Sequence, residues 1–172
     1  MQRILRDQAR QFVLDARATP QLRVEPNEVF EIETWDAASG FFKSEADKAI
    51  PANRPGFDRI PAMANPLGGP VFVNGAERGD TLVVHIEDIL VADYSWIAIG
   101  PRRGPLGEST RWPELSGEYT TKILRHTPGP SGTMRDGTVH FNERISRPVT
   151  PFIGTLGTVP DREGCTSIDG QG

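Results

Sequence analysis

The chain has little of what marks several large protein classes: it has one cysteine, three lysines and no long apolar run. The single Cys165 forbids an internal disulfide, and no histidine near it in the sequence could activate it as a nucleophile, so we interpret it as a bystander thiol. No run approaches the roughly 20 apolar residues that cross a bilayer. The N-terminus also lacks the apolar core of a signal peptide. The sequence therefore predicts a cytoplasmic protein with no membrane partner.

Positive charge is also in short supply. The net charge is -4 and the sequence pI is about 5.4, so we expect no positive electrostatic field that would bind a polyanion. The lysines are Lys43, Lys48 and Lys122, and the arginines are scattered. We expect ion pairs and solvated surface from these side chains, and no nucleic-acid partner.

Helix signals are few, whereas 18 glycines and 15 prolines are spread between short apolar runs. This pattern is typical of many short strands joined by tight turns. Strands are predicted near residues 11–15, 21–24, 29–35, 70–74, 81–90, 119–125, 138–142 and 152–158. A helical stripe (Leu5, Ala9, Phe12, Ala16) leaves the N-terminus open between helix and strand. The fold class predicted is mainly β: one domain over residues 1–172, a sandwich or distorted barrel with long Pro/Gly-rich loops at 39–64 and 99–117.

One stretch, NPLGGPVFVNGAERGDTLVVHIEDIL at residues 65–90, combines a stiff loop with two strand-like runs. Pro66 and Pro70 each fix φ, while Gly68 and Gly69 permit backbone angles that other residues avoid. The two runs are separated by GAERGD, which predicts a hairpin-like unit. The loop before them is expected to have one shape and little bulk.

Short catalytic motifs are missing. The sequence has no metal-ligand pattern such as HxxxH, no phosphate loop, no dinucleotide fingerprint and no GxSxG. His85 and His140 each lie inside a strand pattern, which favours cross-strand packing. His126 precedes TPGPSG and is expected at a loop or strand end.

Asp36, in EIETWDAASG, is the best single candidate for chemistry because it lies where a predicted strand gives way to a loop. The two-residue period of a strand puts Asp36 on the face of Ile32 and Thr34, so it could point inward. An inward carboxylate must be paired, hydrogen-bonded or metal-bound. The alternative, which spacing alone favours, is an Asx turn that caps the strand.

Three segments, in the same order, resemble the acetamidase/formamidase family of small-amide hydrolases. NPLGGPVFVNGAERGDTLVVHIEDI is similar to that family's NPxTGPxxVxGAxPGDxLxVxIxxI segment. ETWDAASG resembles its E-T-x-D-A/C segment, and RPVTPFIGTLGTVPDRE resembles its PxxPFIGxIGVAP segment. The resemblance runs from about residue 20 to the end of the chain. It departs at Leu67 and Gly68, where the family has a small residue followed by Thr.

The resemblance implies hydrolysis of a short aliphatic amide to a carboxylate and ammonia, assisted by a divalent metal, zinc or calcium. It implies a metal-ligating or water-orienting role for Asp36, and a narrow pocket bounded by Asn65 and Gly69 with Phe152 at its apolar end. The alternatives without a binding role are a simple turn at 65–70 and a core position for Phe152.

The family's later Gly-Gly-Asn-x-Asp and Gly-Asp-x-His motifs do not follow GCTSIDGQG. The chain therefore resembles an N-terminal half, and we expect a C-terminal-half polypeptide as partner and an oligomeric assembly. A non-catalytic β domain, either a truncated relic or a regulatory partner of an amidase, is the alternative function.

Overall fold

The computed structural model describes residues 1–8, 11–57, 59, 63–101, 111, 114, 117–160 and 165–166. Most of its regular structure is strand, as predicted, and its sheets do not close into a barrel. The helices found in these residues are short 3-10 turns at Pro51–Asn53 and Met134–Asp136. No helix in this part of the chain is long and apolar enough to cross a membrane.

Ten short strands are present in the described residues. They are β1 (Gln2–Ile4), β2 (Val13–Leu14), β3 (Leu22–Val24), β4 (Phe30–Ile32), β5 (Val71–Val73), β6 (Tyr94–Ile99), β7 (Thr120–Thr127), β8 (Thr138–His140), β9 (Ser146–Pro148) and β10 (Cys165–Thr166). The chain divides into two compact units. Unit 1 comprises Met1–Gly40, Pro55–Val84 and Gly154–Gly172, and unit 2 comprises Phe41–Arg54 and His85–Ile153.

Unit 1 is built from three strand pairs. β1 pairs with β4 and β3 with β5, both in parallel, while β2 pairs with β10 antiparallel. Ile4, Val24 and Cys165 are almost fully buried, at 1%, 2% and 2% exposure. The Cys165 side chain lies within this core.

Unit 2 is an antiparallel sheet in the order β6-β7-β8-β9. Phe42 is 1% exposed and lies against Trp96 of β6, with 4.3 Å between ring centroids. Thr121 of β7 is buried, and its hydroxyl donates a hydrogen bond to the carbonyl of Asp47. The loop that precedes the Pro51–Asn53 turn is thereby joined to the sheet.

The predicted hairpin over residues 65–90 is wrong. β5 pairs with β3, far back in the sequence, and residues 81–90 form no strand. The turns of GAERGD are present, with backbone bonds from Ala76 to Val73 and from Asp80 to Glu77, but the chain that follows them does not pair back. His85 is exposed there, so its predicted cross-strand packing is also wrong.

The strand predicted over 152–158 is wrong too, because those residues are exposed and belong to no strand. The prediction missed β1, β6, β9 and β10. At the ambiguous N-terminus the strand alternative holds for Val13–Leu14. Residues 39–64 form the predicted long loop where they are described, and most of the loop predicted over 99–117 lies outside the described residues.

Charge contacts join β1 to β4. The Arg3 guanidinium forms an ion pair with Glu33 and contacts Glu31 at 3.3 Å, and the Arg6 amide donates to Glu33 Oε2 at 3.0 Å. The backbone hydrogen bond from Arg6, together with the side chain of Arg3, lowers the pKa of Glu33.

This lowered pKa gives a pH prediction. Glu33 contributes stability above its ordinary carboxyl pKa, and that contribution is lost as pH falls through the lower pKa of the folded state. Glu33→Gln should therefore flatten the decline of unfolding free energy on acidification from about pH 5 downward. Urea unfolding across this range measures it, with Glu31→Gln as the matched control, because Glu31 also contacts Arg3. An unchanged acid slope in Glu33→Gln would contradict the assignment.

Candidate functional site

Two loops of unit 1 carry most of the predicted site residues: the DAASG loop (residues 36–40) and the NPLGGP loop (residues 65–70). They are joined by a backbone hydrogen bond from Asn65 N to the carbonyl of Ala37, 3.0 Å long. The structure thus brings Asn65 beside the residue that follows Asp36. Two segments that are separate in the sequence form one local surface.

Asp36 is exposed, so the inward orientation, which was one of the two options, is wrong. β4 ends at Ile32, and the two-residue alternation of side chains therefore does not extend to residue 36. The Asp36 carboxylate accepts from Ala38 N at 2.7 Å and from Gly40 N at 3.0 Å. This is the Asx turn that was the alternative interpretation.

The DAASG loop is compact and held in strained backbone geometry. Ser39 has φ +54 and Gly40 has φ +75. A Cβ on Gly40 would lie 2.7 Å from Trp35 Cζ3, so a larger residue would strike the indole. The Arg6 guanidinium also lies over that ring, 4.2 Å from its centroid. The loop therefore holds Asp36 in a fixed position at the surface.

One polar atom of this loop is unusual. Ser39 Oγ is buried and has no hydrogen-bond partner among the described residues. Leaving a buried hydroxyl without a partner costs about 1–3 kcal/mol. A group from outside these residues, such as a ligand or another polypeptide segment, would remove that cost.

The NPLGGP loop is anchored along its length. Leu67 exchanges two backbone hydrogen bonds with Gln11, of 3.2 and 2.7 Å, and the Pro70 carbonyl accepts from Gln21 N at 2.9 Å. Asn65 lies in the left-handed region at φ +52, which asparagine tolerates better than most residues. Gly69 is buried, with φ +120. The loop has the low bulk that its sequence predicted, and backbone hydrogen bonds anchor it to the neighbouring chain.

Gly68 packs closely against β4. A Cβ placed on it would lie 2.5 Å from Ile32 Cγ2 of β4. Only glycine lets the loop backbone contact β4 directly. The departure from the family pattern at this position therefore coincides with a packing requirement.

Phe152 lies in unit 2 and is 84% exposed, so the alternative of a core position is wrong for this chain. Its predicted place at the apolar end of a substrate pocket stays a prediction, as do the substrate roles of Asn65 and Gly69.

A divalent metal would need more donors than these loops supply. The described residues contain no group of three or more His, Cys, Asp or Glu side chains able to hold an ion. Asp36 fits as one ligand, because its carboxylate is exposed and keeps lone pairs beyond its two backbone contacts. The residues described do not by themselves form a metal site.

Unit 2 contains a polar pair that the sequence did not predict. His126 Nδ1 lies 2.8 Å from the Ala92 carbonyl, and because a carbonyl only accepts, Nδ1 carries the proton. In the neutral ring, Nε2 then accepts from Ser95 Oγ at 2.9 Å. Ser95 and His126 are 31 residues apart and meet only through the pairing of β6 with β7, so no local motif could have indicated them. His140 makes a comparable bond to Thr127, which agrees with its predicted cross-strand role.

Comparison with protein families matches residues 15–169 to the acetamidase/formamidase family. The chain belongs to this family, which confirms the resemblance seen in its sequence. No curated protein matches it.

Solved structures give the same relationship. An acetamidase from Bacillus halodurans is 28% identical with a TM-score of 0.76, over 95% of this chain and 48% of that one. A predicted acetamidase/formamidase from Thermoanaerobacter tengcongensis is 30% identical with a TM-score of 0.73, over 95% and 47%. An acetamidase from Yersinia enterocolitica shares the fold at 24% identity, with a TM-score of 0.73, over 97% and 48%. The chain thus spans about half the length of the structures it matches.

The contact of Gly68 with β4 gives a packing prediction. Gly68→Ala should destabilise unit 1 by about 1–3 kcal/mol, because the added methyl overlaps Ile32 Cγ2. The change is measured as a lower midpoint of urea unfolding. Gly154→Ala is the control, since a Cβ there meets no atom within 4 Å.

Repeating Gly68→Ala in an Ile32→Ala background tests whether overlap with Ile32 Cγ2 causes the destabilisation. Removing Cγ2 should make the additional cost of Gly68→Ala much smaller, because the two positions are coupled through that contact. Equal costs in both backgrounds would show that the overlap is not responsible.

Proposed function

We propose that this chain supplies one half of a hydrolase for short aliphatic amides of the formamide and acetamide type, and that it works only with the other half of the family fold. The observation that carries the proposal is the Asn65–Ala37 hydrogen bond. It joins the two loops whose sequences most resemble the family and sets them beside an exposed carboxylate.

Asp36 would act from this half by orienting a water molecule or by ligating a metal. Its two backbone hydrogen bonds restrict the carboxylate to one geometry, which favours a role that requires a fixed anion. A divalent ion, zinc or calcium, would supply carbonyl polarisation and a water of lowered pKa. The ligands beyond Asp36 would come from the other half.

Asn65 and Gly69 would form the substrate side of the site. The Asn65 side chain offers both a donor and an acceptor, which suits the two polar groups of an amide. Gly69 adds no side chain, so a ligand with few heavy atoms could approach the loop backbone.

A second candidate is a non-catalytic β domain, acting as a regulatory partner of an amidase or surviving as a relic. The Asx turn favours it, because two backbone contacts already give Asp36 a structural role. The two candidates differ in whether the charge of Asp36 is needed or only its capacity to accept hydrogen bonds.

Ammonia release from formamide and acetamide tests the proposal. The chain is assayed with added zinc or calcium, alone and mixed with the half of the Bacillus halodurans acetamidase that lies outside the match. We expect release only in the mixture. Ammonia release by the chain alone would contradict the need for a second half. No release in the mixture would favour the non-catalytic domain.

Asp36→Asn separates charge from turn formation. The amide keeps an acceptor for the Ala38 N–H but removes the charge, so kcat/KM should fall about 100-fold, within the range seen when groups supporting a metal site are altered. Asp47→Asn is the matched control, since Asp47 also accepts backbone bonds, from Lys43 and Ser44, in unit 2. Unchanged kcat/KM in Asp36→Asn would limit Asp36 to its structural role.

A further inference from the structure

Two segments have strand-forming sequences but are exposed: residues 81–90 and residues 151–159. Every residue of the first except Ile89 is exposed, and so is every residue of the second. Large side chains show much of their surface, with 70% exposure at Val83 and Leu90, 84% at Phe152 and 60% at Leu156. Exposed runs of this kind mark interaction surfaces.

Neither face of segment 81–90 is covered. Val83 and Val84 are neighbours, so in an extended chain they point to opposite sides, and they are 70% and 45% exposed. A surface strand of a complete sheet would bury at least one of these side chains. The segment therefore has the composition of an interior strand without the surroundings of one.

The backbones of both segments also lack ladder partners. Within the described part of the chain, no backbone–backbone hydrogen bond involves residues 81–90 or 151–159. Unpaired N–H and C=O groups beside apolar side chains are a template for strand addition by another polypeptide.

The length of the matched structures indicates which polypeptide covers these segments. This chain aligns over 95% of its own length but only 47–48% of the two relatives above 25% identity. The remaining half of the family fold is thus large enough to cover both segments. Charge does not oppose such packing over residues 81–86, because His85 is the one ionisable residue there. Further along the segment, Asp88 forms an ion pair with Arg135.

We propose that segments 81–90 and 151–159 form the interface with the other half of the family fold, which adds strands to them and covers their apolar side chains. The choice of partner rests on the proposed function, whereas the location of the interface rests on exposure and missing backbone bonds.

Hydrogen–deuterium exchange tests the location. The full chain is measured alone and with the half of the Bacillus halodurans acetamidase that lies outside the match. Amide exchange in both segments should slow by at least about tenfold on mixing, because exchange reports the opening of hydrogen-bonded structure. A complex without protection of either segment would overturn the proposal, as would the lack of any complex.

Substitutions test the side chains. Val83→Asp and Leu156→Asp should each weaken the complex by about tenfold or more, because each would bury an unpaired charge at the interface. Both positions are exposed in the chain alone, so its fold should not change, and circular dichroism checks this. Val29→Asp is the control, since Val29 is also exposed in unit 1, at 48%, but lies outside both segments. Equal weakening in all three variants would contradict the proposal.

The same mixture distinguishes this inference from the proposed function. A complex with both segments protected but no ammonia release would support the interface and contradict the amidase. Ammonia release without protection would support the amidase and overturn the interface. Protection in the chain alone, with a concentration-dependent increase in mass, would identify a second copy as the occupant and overturn the choice of partner.

Discussion

Backbone hydrogen bonds to the NPLGGP loop are the constraint on which unit 1 depends. The loop bonds to Ala37 at its start, to Gln11 through Leu67 and to Gln21 through Pro70. These contacts reach the chain before β2, before β3 and after β4, so one short loop fixes elements that are far apart in sequence. Because each bond satisfies a backbone group that would otherwise need water, the loop can lie half-buried between strands.

Close packing of small residues makes those bonds possible. Gly68 lets the NPLGGP loop contact Ile32 directly, and Gly40 lets the DAASG loop pack against the Trp35 ring. The result is a carboxylate, Asp36, that is exposed yet held in one geometry by two backbone N–H groups.

Segments 81–90 and 151–159 have strand-forming sequences but are exposed. They carry Val, Leu, Ile and Phe side chains at high exposure and take no part in the sheets of the described residues. A strand is stabilised by the ladder and by the surface it covers, and its own composition contributes little without them. The strand prediction failed at these segments because residue type alone was counted, and the described residues supply no ladder partner for them.

The sequence by itself determined the β class, the low bulk of the NPLGGP loop, the Asx turn as one of two options at Asp36, and membership of the acetamidase/formamidase family. These properties follow from residue types and local spacing: proline and glycine restrict or free φ locally, and an aspartate accepts bonds from its near neighbours. Tertiary structure alone decided that β5 pairs with β3, that Asp36 faces outward because β4 ends at Ile32, and that Ser95 meets His126. Pairing between distant segments depends on which surfaces are available for burial, and no local pattern contains that information.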